Sequence, residues 1–386
     1  MSVGKVSKIA ISTGGGDAPG LNAVIRAVVL ASAKRGWECH GIREGYCGLL
    51  APEQYPDGGL IRLTRESVAG ITHLGGTILG TTNRGNPTRF PTAQPDGSVV
   101  EVDRTDELVS KFNAAGLDAL IAVGGDGSLA IAYQLACKGI RVVGVPKTID
   151  NDLDKTFMTF GFDSAVSFAT ECMDRLHPTA ASHRRVMVVE VMGRYAGWIA
   201  LHAGIAGNAN VILIPEIPYD IEKVAAHVIE RERTGHHYTV VLVAEGASPR
   251  GGRHSVLSKA AGQAEKLGGI GDIVARELED LTGKDARNVV LGHLLRGGSP
   301  TSFDRLMALR FGAAAVRALD EGQSAVMVAL QPPVVRYEPL KDAVRRMKTV
   351  PVDCDTLDAI VHCASRCDGA HRRGSLRGRD GRAAVR

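Results

Sequence analysis

The sequence predicts an α/β fold built from two doubly wound lobes with largely parallel sheets. Three observations carry that expectation. Short apolar runs rich in Val and Ile recur without the alternation of a half-exposed strand, as in strands covered on both faces. Helix-length stretches fall between consecutive runs, and a repeated strand–helix–strand order builds parallel, Rossmann-like sheets. The 386 residues, 44% of them hydrophobic, exceed one ordinary core and call for two.

In chain order, the sequence places strands at 8–12, 39–42, 119–123, 142–145, 186–191, 211–214, 239–243, 289–291 and 325–329. Helices fall at 21–35, 105–115, 128–138, 164–176, 221–234, 271–281 and 304–321. Gly or Pro closes several of the strand runs, at Gly124, Pro146, Pro215 and Gly292. The first lobe is expected to hold residues 1–160 and to regain the chain over about 295–345. The second lobe takes 161–294 and about 346–365. Residues 84–104, rich in Pro, Gly and Asp, read as an exposed excursion. Residues 366–386 have almost no core formers, and their composition predicts a disordered tail.

Charge and composition exclude several classes. The net charge is +4, but the tail alone carries seven Arg and two Asp, a contribution of +5, so the body stands at −1. With 4% aromatic residues there is little to stack bases on, and no nucleic-acid partner is expected. No apolar run approaches the roughly 20 residues of a membrane span. The segment MSVGKVSKIAIS lacks a signal-peptide core. Seven cysteines, an odd number without metal-finger spacing, fit reduced thiols. Cys363 and Cys367 lie near His362 and His371 but have no second ligand pair. A cytoplasmic enzyme acting on small molecules is the expectation.

Five segments carry chemistry. Ile11–Asn22 (ISTGGGDAPGLN) ends a strand, turns through glycines and opens a helix. Such a turn brings backbone N–H groups and a helix N-terminus to a phosphate. It is no Walker A loop, since no Gly-Lys-Ser/Thr follows, and a glycine turn alone is often only a turn. Ala122–Ser128 (AVGGDGS) repeats the pattern. Gly124, Gly125 and Gly127 clear space for phosphates, and Asp126 stands at a strand's carboxyl end, where open α/β sheets bind ligands. Its carboxylate suits Mg²⁺; the plainer reading is a helix cap, a part Ser128 could also play.

Pro146–Asp152 (PKTIDND) sets two carboxylates, Asp150 and Asp152, two residues apart in an extended turn. One can take a proton from an attacking hydroxyl while the other orients the site or the metal. An ordinary polar turn is the alternative. Val191–Gly197 (VMGRYAG) puts Arg194 at another strand end, where a guanidinium can offset charge on a transferring phosphoryl group or simply pair with a surface acid. Leu291–Pro300 (LGHLLRGGSP), with Arg287 before it and Ser182–Arg185 (SHRR) upstream, supplies His and Arg donors enough to clamp a sugar phosphate. Each basic residue taken singly is more often a solvated surface group.

Taken jointly, from about Lys8 to about Gly322, these segments resemble the phosphofructokinase A family. The ordered motifs GGGDAPGLNAVIR, GGDGS, PKTIDND, MGRYAGW and LGHLLRGGSPTSFDR carry the likeness. The resemblance implies a 6-phosphofructokinase that moves a phosphoryl group from ATP, or from pyrophosphate, to the 1-hydroxyl of fructose 6-phosphate with Mg²⁺. It makes the first lobe the donor lobe and the second the sugar lobe. Gly16, Arg84 and Gly85 would lie along the donor, with Gly124, Gly125, Gly127 and Ser128 at its phosphates and Asp126 on the metal. Asp150 would be the base, Thr148 and Ile149 would sit beside the sugar or the transferring group, and Asp152 would support the metal. Arg194 would stabilise the transition state. Met192, Gly193, Glu245, His293 and Arg296 would hold the sugar phosphate. Arg185 and Arg287 resemble residues supplied across a subunit interface, which implies a homo-oligomer, commonly a tetramer.

Donor identity turns on two positions. Pyrophosphate-using members place Asp after the metal-binding Asp, excluding the α-phosphate of ATP; here the residue is Gly127. Lys147, in contrast, resembles pyrophosphate users, so the pair looks like the mixed-substrate branch. The first helix carries Arg26 but Leu30 where regulated bacterial members carry a second Arg, which removes an effector contact. NAD and lipid kinases share GGDGS but are not expected to carry PKTIDND with LGHLLRGGSP. A nicotinamide dehydrogenase would need GxGxxG and an acid after the second strand. A non-catalytic sugar-phosphate-binding subunit is disfavoured by the intact Asp126, Asp150 and Arg194.

Overall fold

The structure, a computed structural model, describes residues 6–83, 85–94, 96–252, 256–258, 266–354 and 356–357. The remainder of the tail, with Cys363 and Cys367, and Arg84 lie outside the described residues.

The fold class read from the sequence holds. A seven-stranded sheet runs in the spatial order Val334–Pro339, Val326–Gln331, Val142–Pro146, Ala119–Gly124, Lys8–Thr13, Glu38–Ile42, Leu60–Leu63. The five inner strands are parallel and each outer strand is antiparallel to its neighbour. The Val and Ile runs do what their lack of alternation implies. Ile9, Ile11, Ile121, Val123, Val143 and Val145 pack on one face beneath the helices Leu21–Lys34 and Ser302–Asp320. Ala10, Leu120, Ala122 and Val142 pack on the other, under Thr105–Ala114 and Asp126–Cys137. The first helix pair needs Gly312, because a Cβ there would stand 2.7 Å from Ala27 Cβ and 2.8 Å from Val24 O.

A second, wholly parallel sheet has the order Ala286–Val290, Val186–Val191, Thr239–Ala244, Val211–Leu213. Phe162–His183 and Trp198–Ala206 cover one face, Ile221–Arg233 and Ile270–Thr282 the other. The chain leaves the first sheet after Val142–Pro146, builds the second, and returns through Ser302–Asp320 to Val326–Gln331.

Several local expectations needed correction. The helix Trp198–Ala206 (WIALHAGIA) is apolar nearly all round, so no 3.6-residue period marked it. The helix expected to stop at 176 continues to His183 with Pro178 inside it; Ala180, fully buried, keeps its last turn packed. The excursion at 84–104 contains an antiparallel pair, Phe90–Ala93 with Val99–Val102. The strand expected at 289–291 starts at Ala286. The antiparallel edge strands Leu60–Leu63 and Val334–Pro339 are short or charged and gave no clear pattern.

Candidate active site

Both sheets turn their carboxyl ends toward one cleft, and the chemistry-bearing motifs hang from those ends. Strand Lys8–Thr13 leads into Gly14–Gly16, Ala119–Gly124 into Gly125–Ser128, and Val142–Pro146 into Lys147–Asp152. From the second sheet, Val186–Val191 leads into Met192–Arg194, Thr239–Ala244 into Glu245, and Ala286–Val290 into the 3₁₀ turn Gly292–Arg296.

The glycines make the close approaches. A Cβ on Gly14 would lie 2.9 Å from Ser128 Oγ, and one on Gly124 2.2 Å from Ser128 Cβ, so the two donor-side turns press against each other through Ser128. Ser128 is therefore not a cap. The helix Asp126–Cys137 has Gly125 as its N-cap and no side-chain cap bond, which leaves Asp126 exposed in the first turn. A Cβ on Gly127 would meet nothing within 4 Å. Gly85 is a packing glycine, with Cys47 Sγ 2.4 Å from where a Cβ would stand.

Lys147 is 3% exposed and its Nζ donates to Gly14 O at 3.0 Å and to Gly16 O. Burial, with Arg296 nearby, pushes its ammonium down to about 7. Gly16 also abuts Arg296: a Cβ there would stand 2.6 Å from Nη1, which donates to Asp17 O at 3.0 Å. Arg296, in the 3₁₀ turn that follows Ala286–Val290 of the four-stranded sheet, thus reaches onto the first glycine turn.

Asp150 and Asp152 of the PKTIDND loop are half-buried, and the Oδ1 of each is enclosed without a hydrogen-bond partner. Burial first, then neighbouring carboxylates, holds both above the usual carboxylate range. Asp150 feels Arg296, Glu245, Arg194 and Asp126 electrostatically, and Asp152 feels Asp150 and Asp126. Groups from four motifs and both sheets thus meet in one region. Thr148 Oγ1 accepts from Asp150 N at 3.1 Å and closes the turn. The Ile149 side chain is fully buried in the core with Ala18, Phe162 and Leu295, so it packs the lobes together and offers a ligand nothing.

On the sugar side, Gly193 (φ 144) carries the strand end past Ala196 O, and Gly246 lets the Arg194 carbonyl approach to 1.9 Å from where a Cβ would be. Arg194 lies over the half-exposed ring of Tyr195 at 5.8 Å. Glu245 is raised by burial, with Arg194 opposing. Met192 is partly buried beside this turn and His293 is exposed on the 3₁₀ turn. Arg185 and Arg287 are not part of this cleft. They sit at the amino ends of their strands, the far end of the second sheet, where both pair with Asp285. The sequence reading missed Asp17, whose carbonyl receives Arg296, and Lys348, which lies in no motif.

No group of three or more His, Cys, Asp or Glu among the described residues forms a ready cation cage. The donor set still fits Mg²⁺: exposed Asp126 and the unpartnered oxygens of Asp150 and Asp152 are hard ligands. Mg²⁺ commonly takes one or two carboxylates and fills its other positions with water and substrate phosphates.

Two largely parallel sheets opening onto a cleft of glycine turns, carboxylates and guanidinium groups define an α/β phosphotransferase. The chain belongs to the phosphofructokinase family, whose model, described as phosphofructokinase, matches residues 8–319. An ATP-dependent 6-phosphofructokinase of Chloroflexus aggregans is 51% identical over 88% of this chain and 91% of that protein. A pyrophosphate–fructose 6-phosphate 1-phosphotransferase of Amycolatopsis mediterranei is 47% identical over 90% and 97%. Among solved structures, phosphofructokinase from Saccharomyces cerevisiae matches with a TM-score of 0.72 at 31% identity, over 88% of this chain; the chain spans 45% of that longer one. A pyrophosphate-dependent phosphofructokinase from Marinobacter aquaeolei matches with a TM-score of 0.76 at 22% identity, over 99% and 100% of the two chains, a likeness of fold.

Proposed function

We propose that the chain is an ATP-dependent 6-phosphofructokinase, transferring the γ-phosphoryl of ATP to the 1-hydroxyl of fructose 6-phosphate. The observation that carries it is the meeting of Asp126, Asp150 and Arg194 at the carboxyl ends of two sheets. In this reading the seven-stranded lobe takes the donor and the four-stranded lobe the sugar.

The donor phosphates lie along Gly14–Gly16 and Gly124–Ser128, with Gly85 as a further donor contact. Asp126, supported by Asp152, would hold Mg²⁺, which when bound offsets phosphate charge. Asp150, buried and unpartnered at Oδ1, takes the proton of the sugar's 1-hydroxyl. Arg194 faces the charge that develops on the transferring group. Thr148 turns the acid loop toward the sugar. Met192, Gly193 and Glu245 hold the sugar ring, and His293 and Arg296 its phosphate end. Arg185 and Arg287, remote from their own cleft, serve that of a second copy in a homo-oligomer.

A pyrophosphate-dependent enzyme is the second reading, favoured by Lys147. Initial rates with fructose 6-phosphate, Mg²⁺ and either ATP or pyrophosphate decide between them. Turnover with ATP at least tenfold above that with pyrophosphate is expected; the reverse ratio overturns the donor, and no turnover with either overturns the reading.

A further inference from the structure

The acid loop after Val142–Pro146 is held in a conformation it would not keep unaided. Its backbone enters the left-handed region at two non-glycine residues, Asn151 (φ 52) and Lys155 (φ 65). Asn151, 4% exposed, sits between the two acids. Its Oδ1 accepts from Thr159 N at 3.2 Å and from Lys348 Nζ at 2.9 Å.

Lys348 lies 197 residues further on, in the segment that leaves the first sheet after Leu340–Ala343. An ammonium has three donors, and here all three have acceptors: Asn151 Oδ1, Thr156 O at 3.1 Å and Phe157 O at 3.0 Å. Lys348 N donates to Asp152 O at 2.7 Å. On its other side, Lys348 O accepts from Trp198 Nε1 at 2.9 Å, and its Nζ stands 5.7 Å from the Trp198 ring centre. The residues flanking Lys348 repeat this two-sided grip. Arg346 donates to Asp154 at 2.6 Å, while Val350 N donates to Glu216 Oε1 at 2.8 Å. Glu216 also accepts from Gly197 N at 3.0 and 3.1 Å, three residues after Arg194.

We propose that residues 346–350 form a clasp that fixes the Asp150 loop against the Arg194 loop, with Lys348 as its central positioning residue. The proposal rests on the phosphotransfer reading of the cleft. Lys348 has no bond to either acid side chain; its charge is felt by Asp152, but its hold on the loop passes through the backbone it pins. The clasp pins the left-handed turns of the acid loop and keeps base and guanidinium at a set separation. A shift of about 1 Å between reacting groups costs on the order of 100-fold in rate.

The test compares Lys348→Met, which keeps the stem and removes the donors, with Lys348→Arg and with Trp198→Phe, which removes the indole donor. Measured are kcat, both KM values, the melting temperature, and amide hydrogen exchange in peptides covering 148–159. The expected result for Lys348→Met is a kcat loss of about 100-fold with KM values within about threefold. Exchange should rise in 148–159 while the strand Val186–Val191 stays protected. Lys348→Arg should recover at least a tenth of the activity, and Trp198→Phe should lower kcat in the same direction, less steeply. A kcat within about threefold of the parent overturns the proposal, as do parallel changes in kcat, KM and exchange along the whole chain. Should Lys348→Met not fold, Trp198→Phe carries the same comparison. A parent protein that uses neither donor sinks the functional reading; exchange in 148–159 still decides whether the clasp exists.

Discussion

Gly127→Asp should make the donor turn reject ATP and spare pyrophosphate. Gly127 is the second residue of the helix Asp126–Cys137 and is exposed, and a Cβ there meets nothing within 4 Å. The fold therefore loses nothing. Replacing glycine by an acid in a helical first turn favours the helix by roughly 0.5–1 kcal/mol. The cost falls on the ligand. A carboxylate about 4 Å from a phosphate charge, at an effective dielectric near 20, repels it by about 4 kcal/mol. At about 1.4 kcal/mol per tenfold, that is on the order of 10³ in kcat/KM for ATP. Pyrophosphate has no third phosphate to meet the new charge, so its kcat/KM should stay within about threefold of the parent. The assay is initial rate against each donor at saturating fructose 6-phosphate, with a melting curve for each protein. Equal losses with both donors, or ATP use unchanged, would refute the argument from open space.

Three further outcomes follow from the same geometry. Asp150→Ser should lower kcat by roughly 10²–10⁴-fold with fructose 6-phosphate affinity, measured calorimetrically, within a few-fold; unchanged turnover removes Asp150 as base. Burial raises the Asp150 pKa, and a base works only when deprotonated, so the parent's kcat/KM should fall on acidification along a limb lying above the usual carboxylate value of about 3.9. A limb at or below that value would count against the assignment. Asp304 is fully buried, accepts from Ser164 N at 2.8 Å and Oγ at 2.7 Å, and is pushed up by burial to about 6. The native state thus keeps a proton that the unfolded chain releases near 3.9, so stability is lost as pH rises from about 4 to about 6. Asp304→Asn should flatten that slope in denaturant titrations, and an unchanged slope would show that the carboxyl does not titrate there.

What was legible in the sequence follows from where the signals lie. Strands covered on both faces leave an unbroken Val/Ile run, so Ala119–Gly124 and Val186–Val191 were read within a residue of their ends. The helix Trp198–Ala206 was invisible because apolar residues on nearly every side erase its period. Within the site, Asp126, Asp150 and Arg194 were visible because each follows a strand in a turn dense with glycine or acids. Ser128 was misjudged as a possible cap because sequence spacing cannot show that its hydroxyl sits between two glycine turns. Lys348 had no signal at all. Its partners Asn151, Thr156 and Phe157 are brought to it by the return of the chain, and two of the three are backbone carbonyls that carry no residue identity.

The two sequence signals for the donor point opposite ways, and their physical demands differ. Lys147 Nζ already donates to Gly14 O and Gly16 O, so only one of its three N–H donors is left for a pyrophosphate unless a carbonyl is released at roughly 1–3 kcal/mol. The lysine is better understood as the brace of the first glycine turn, whichever donor lies on it. Gly127 requires no rearrangement to admit a third phosphate, since nothing occupies the space beside it. The discriminating mutation is therefore Lys147→Met. As a brace, its loss should lower the melting temperature and depress kcat/KM for ATP and pyrophosphate by the same factor, within about threefold. If pyrophosphate use alone collapsed, the lysine would be a donor ligand, and the case for ATP would rest on Gly127 unaided.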